Sequence, residues 1–88
     1  MPESIIARCE AKGLRMTGQR RVIARALQDS DDHPDVEELY AHASALDAGI
    51  SLATVYRTVK LFEEAGILER LEFGDGRARY EDVDRDNH

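Results

Sequence analysis

A single cysteine, Cys9, stands in this 88-residue sequence, so the chain can close no internal disulfide and hold no Cys-x-x-Cys metal clamp. Nor is there an apolar run approaching the roughly 20 residues needed to cross a membrane, or a charged, apolar, small-residue signal pattern at the start. Both absences predict a cytoplasmic protein with no membrane partner. No nucleophile–base set and no phosphate-cradling glycine loop can be read from the residues, which argues against an enzyme. No internal repeat is present. A chain of this length supports one small domain, near the lower limit at which a core suffices without disulfides or metals. Cys9 falls at helical spacing from Ile5 and Ile6, which reads as a core position rather than a reactive thiol.

Cationic charge is also scarce overall, and the formal net charge is −6. Taken alone that argues against a nucleic-acid partner, because phosphate contacts usually need a basic surface. The distribution reverses the argument. Arg8, Lys12, Arg15, Arg20, Arg21 and Arg25 face only Glu10 between positions 8 and 25, a net of +5, whereas Asp29 to Glu38 holds six acids and no Lys or Arg. A local basic patch can bind phosphates while the acidic remainder limits non-specific attraction.

The stretch from Ser51 to Gly66 reads as a helix with two unlike faces. Leu52, Val55, Val59 and Phe62 recur with helical period and predict an apolar stripe for the core. Ala53, Arg57, Lys60 and Glu64 fall opposite, flanked by Ser51, Thr54 and Tyr56. Ser51 suits the N-cap and Gly66 the left-handed residue that closes a helix. Before it, Pro2 to Lys12 is expected to be a first helix stopped by Gly13. Thr17 caps a second helix to about Gln28, with Val22, Ile23, Ala26 and Leu27 inward and Arg20, Arg21 and Arg25 off the stripe. Asp35 and Glu38 have capping-box spacing for a third helix whose stripe is Val36, Leu39, Tyr40, Ala43 and Leu46. Gly49 provides a tight turn into the helix at 51, making a helix-turn-helix.

After Gly66 the period changes to two. Leu71 and Phe73, then Ala78 and Tyr80 beyond Gly74-Asp75-Gly76, predict a hairpin with these apolar residues facing the helices and the charged set outward. The expected fold is therefore mainly α with a small β-hairpin, a winged helix-turn-helix.

Gly13-Leu14-Arg15-Met16-Thr17 with Gln19-Arg20, then His33, Glu38-Leu39-Tyr40, and above all Leu52-Ala53-Thr54-Val55-Tyr56-Arg57 with Phe62 and Ala65-Gly66-Ile67 resemble the DNA-binding half of the ferric uptake regulator family of bacterial metal-dependent repressors. The resemblance spans nearly the whole chain. It implies a regulator of iron-uptake or related metal-homeostasis genes that binds double-stranded, A·T-rich operator DNA through helix 51–65. Tyr56 would meet thymine methyls and Arg57 guanine O6 and N7, which suits an apolar ring and a planar fork. Ser51 and Thr54 would touch phosphates, and Arg15 would enter a narrow A·T-rich minor groove; apart from the resemblance, Arg20 and Arg21 on the basic second helix are expected to contribute phosphate attraction.

The same resemblance implies that His33, Glu81 and His88 are part of a regulatory metal site for Fe(II) or Mn(II), or for Zn(II), since nitrogen and carboxylate ligands suit all three. Residues 1–82 are expected to form the DNA-binding domain and 83–88 the start of a hinge to a dimerisation domain. The intact protein would be a homodimer. This stretch alone is expected to be monomeric, to fold without metal and to hold no metal tightly. The competing reading is a winged-helix protein-interaction module, with Leu61 as an exposed anchor.

Overall fold

The computed structural model describes residues 4–30, 34–72, 74, 76 and 78–83. Four helices, α1 (Ile5–Ala11), α2 (Gly18–Asp29), α3 (Val36–Leu46) and α4 (Leu52–Glu64), precede two strands, β1 (Leu68–Glu72) and β2 (Ala78–Asp82). Each helix starts on a side-chain cap. Ser4, Thr17, Asp35 and Ser51 accept from Ala7, Arg20, Glu38 and Thr54 N–H, satisfying donors that the first turn leaves without intrahelical partners. Asp35 and Glu38 complete the capping box reciprocally, at 2.8 and 3.3 Å. The first helix begins at Ile5, later than the expected Pro2, because Ser4 supplies the cap; Pro2 itself lies outside the described residues.

Two helices end in the same way. Gly13 and Gly66 take φ of 81° and 80°, a region that costs a residue with Cβ about 1–2 kcal/mol. Their N–H groups bond Glu10 and Glu63 carbonyls, while Leu14 and Ile67 N–H reach back to Cys9 and Phe62 carbonyls. That is the Schellman pattern, and it turns the chain so that Leu14 and Ile67 join the core.

The core gathers Ile5 and Cys9 of α1, Ile23, Ala24, Ala26 and Leu27 of α2, Leu39 and Ala43 of α3, and Val55, Val59 and Phe62 of α4. Ile50, Ile67, Leu68 and Tyr80 complete it. Helix α4 packs against α2, α3 and β1, so it is held on three sides and presents one side to solvent. Burial pushes the Cys9 thiol above its usual pKa, with Arg8 opposing and Glu10 adding to the shift. The two ends of the described chain meet where Arg8 of α1 pairs with Asp82 of β2.

Three apolar residues expected in the core are exposed: Tyr40 and Leu46 on α3, and Leu52 on α4 at 46%. Thr58 takes a buried place on the inner face of α4 instead. Helical period assigns a side; it does not say whether another element reaches that far along the axis. Leu52 sits in the first turn and Leu46 in the last, beyond the elements that cover the middle of each helix.

The hairpin is present with a different phase. Arg70 pairs with Tyr80 and Leu71 with Arg79, and directly opposed residues share a face. Leu71 and Tyr80 are therefore on opposite faces, not together. The strand starts at Leu68, directly after Ile67, and these two buried residues set the phase that brings Tyr80 and Ala78 to the helices. Phe73 lies outside the described residues. On its other edge β2 meets the segment before α3, through an Asp35–Arg79 bridge and Tyr80 N–H to Pro34 O at 3.0 Å. Glu81, expected to face outward, is only 8% exposed there.

Candidate nucleic-acid interface

At the start of α4, Ser51 Oγ accepts Thr54 N–H at 3.1 Å and lies 2.9 Å from Thr54 Oγ1. One hydroxyl donates to the other, so of two O–H groups one is used and one is left to give to an incoming oxygen. The first-turn backbone N–H groups and the positive end of the helix dipole point the same way and favour an anion. Two residues on, Tyr56 is 57% exposed and Arg57 is also in solvent.

Between the N-terminal end of α2 and α4 runs an open groove of about 500 Å³, lined among others by Thr17, Arg20, Thr54, Arg57 and Lys60. Leu61 also lines it and is half-buried, less exposed than the anchor expected of a protein-contact surface. Lys60 and Gln19 border the same groove and were not singled out from the sequence. Their signal was weak: Lys60 reads only as a solvated charge, and Gln19 only as part of a string.

The arginines divide into two groups. Arg8 pairs with Asp82, Arg21 with Glu10, Arg25 with Asp29, Arg70 with Glu72 and Arg79 with Glu38. The Arg20 side chain donates to the Arg15 carbonyl. Among the described residues only the Arg15 and Arg57 guanidinium groups have no partner, and both are exposed. Arg15 projects from the connector before α2, Arg57 from the solvent face of α4. Three of the described acids of 29–38 serve structure: Asp29 pairs with Arg25, and Asp35 and Glu38 cap α3.

The family model described as "Ferric uptake regulator family" matches residues 11–88. The chain belongs to that family. It is 64% identical over 80 residues to a ferric uptake regulation protein of Rhizobium leguminosarum bv. viciae, covering 91% of this chain and 56% of that protein. It is 37% identical over 86 residues to the peroxide-responsive repressor PerR of Staphylococcus epidermidis, covering 98% and 57%. A solved zinc-bound manganese uptake regulator superposes with a TM-score of 0.90 at 58% identity, over 98% of this chain and 65% of that one. The ferric uptake regulator of Vibrio cholerae superposes at 0.81 with 35% identity, over 93% and 63%. The chain thus spans about half the length of the curated relatives it matches. Four helices and a two-stranded antiparallel hairpin are the winged-helix DNA-binding fold of these structures.

Family membership raises the question of metal. Of the expected ligands, Glu81 is described and buried on β2, while His33 and His88 lie outside the described residues. Pro34, next to His33 in sequence, is bonded to Tyr80, next to Glu81. Among the described residues no group of three His, Cys, Asp or Glu could hold an ion. The described side chains do not by themselves make a metal centre. No helix among them is long and apolar enough to cross a membrane.

Proposed function

We propose that this chain is the DNA-reading domain, residues 1–82, of a metal-dependent bacterial transcriptional repressor that acts in the cytoplasm on A·T-rich operators of iron-uptake or related metal-homeostasis genes. Helix α4 enters the major groove, where Arg57 bonds guanine O6 and N7 and Tyr56 meets thymine methyls. Ser51, Thr54 and Arg21 meet phosphates, and Arg15 enters the adjacent minor groove, where narrow A·T sequence concentrates negative potential. The observation that carries this reading is that Arg15 and Arg57 stand exposed and unpartnered while other described arginines are engaged. An uncommitted guanidinium has all five donors to offer a base edge.

A salt-titrated binding assay tests it. A duplex with A·T-rich flanks around a guanine should bind more tightly than a scrambled one at every salt concentration, and equal affinities would sink the reading. In the intact protein, residues 83–88 begin the hinge to a dimerisation domain, and the functional unit is a homodimer. His33, Glu81 and His88 contribute to a site for Fe(II) or Mn(II), or for Zn(II), that further ligands complete. A partial ligand set leaves positions to water and binds weakly. Calorimetry giving sub-micromolar Mn(II) or Zn(II) affinity for these 88 residues, lost in a His33→Ala, Glu81→Ala variant, would show a complete site instead.

A further inference from the structure

Arg20 belongs to the basic set of α2, yet its side chain is already committed. Its Nη1 donates to the Arg15 carbonyl oxygen at 2.8 Å, and its backbone N–H donates to Thr17 Oγ1 at 3.3 Å. One residue therefore grips the connector 15–17 at both ends. Arg21 N–H adds a bond to the Thr17 carbonyl at 2.9 Å, and Met16 packs against the core. The connector is thus held by backbone bonds at Arg15 and Thr17 and by the packed Met16 side chain between them, while the Arg15 side chain stays in solvent. Arg20 also borders the groove that Thr54 and Arg57 line. Helix α2, which carries Arg20, packs against α4, so the grip on the connector ties Arg15 to the same helical body as Arg57.

A guanidinium that serves only to attract phosphate needs no such anchor. A carbonyl at 2.8 Å occupies one of the five donors and ties that end of the group to the connector. We infer that Arg20 is a positioning residue, which holds the Arg15 backbone so that the Arg15 side chain is aimed into the minor groove at a set distance from Arg57 in the major groove. Two readers on one duplex must match its groove spacing, and a connector already held in place has less freedom to lose on binding. The inference rests on the DNA-reading assignment above and deepens it.

The test compares duplexes carrying adenine or 2,6-diaminopurine in the flank, the latter placing an amino group in the minor groove while leaving the major-groove edge of adenine in place. The wild-type chain should bind the substituted duplex roughly tenfold more weakly, and Arg15→Ala should bind both alike. Arg20→Met, which retains Arg15, should lose most of that discrimination. Arg20→Lys keeps the charge with a point donor in place of the planar fork, so it should keep the wild-type dependence of log K on log salt while discrimination still falls. If both Arg20 variants discriminate as wild type does, and Arg20→Met only flattens the salt dependence by about one unit, Arg20 is a phosphate contact and the inference is wrong. Should Arg20→Met fail to melt cooperatively, Arg20→Lys decides alone. A wild-type chain indifferent to the added amino group would overturn both this inference and the minor-groove role of Arg15, whereas Arg57 variants on the same duplexes report separately on α4.

Discussion

Along α4, Val55, Thr58, Val59 and Phe62 are buried while Ala53, Tyr56, Arg57 and Lys60 stand in solvent. These two sides differ in what holds them. The inner side is held by three elements and its side chains have few arrangements open to them. The outer side is held only through the helix backbone, so its side chains are aimed by the caps at Ser51 and Gly66. A substitution inside should change whether the domain folds; one outside should change what a folded domain binds. Stability and recognition are therefore separable on a single helix, and substitutions can show whether that separation is real.

The largest expected effect lies inside. Phe62→Ala removes a ring with no exposure and should lower unfolding free energy by about 3–5 kcal/mol, a large part of the ~5–15 kcal/mol of a small domain. Chemical denaturation measures it, and a loss below about 1 kcal/mol would mean the inner face is not the anchor. Next, Arg57→Ala should weaken operator binding by about 1–3 kcal/mol and relax preference at one guanine with the melting temperature unchanged. If operator and scrambled DNA lost affinity equally, α4 would not be the reading element. Ser51→Ala sits on the border between the two sides. It removes the cap and the partner of Thr54 Oγ1, so it should cost about 1 kcal/mol of stability together with some affinity for any duplex. Finer still, Arg21→Ala breaks only a half-exposed pair with Glu10 and should move stability by less than about 1 kcal/mol, while flattening log K against log salt by up to about one unit if Arg21 meets a phosphate.

The smallest effect concerns pH. The raised pKa of Cys9 means the folded chain keeps the thiol proton where the unfolded chain, near 9.0, begins to release it. Its contribution is therefore complete below that value and declines as pH rises through the folded pKa. Urea midpoints should show a steeper alkaline decline for the wild type than for Cys9→Ala, and parallel declines would remove Cys9 as a cause.

What could be read from the sequence is what neighbours in sequence determine. Thr17, Asp35 with Glu38, and Ser51 cap helices because their oxygens meet N–H groups three residues away, and Gly13 and Gly66 end helices because only local backbone is involved. The exposure of Leu52 and Leu46 depended on how far other elements extend, which period cannot report. The hairpin phase depended on Ile67 and Leu68 preceding the alternation. Glu81 is covered because residues before α3 run beside β2, a contact across more than 40 positions of sequence. For the candidate interface, Arg15, Tyr56 and Arg57 were named through a resemblance, and the structure added which guanidinium groups are committed. The bond from Arg20 to the Arg15 carbonyl crosses a helix start, where neither period nor composition carries a signal.

The pairing of Arg8 with Asp82 has a mechanical side. Val83 N–H bonds the Ile67 carbonyl, and the ion pair just before it joins the last residue of β2 to the first helix. Chain leaving the domain here departs from a point fastened both to the wing and to α1. A force on that chain is therefore delivered to the Ile67 carbonyl and to Arg8 as well as to β2. The helical body is joined to the outgoing chain at two points, α1 and the wing, and a variant that breaks the Arg8–Asp82 pair leaves only the wing as attachment.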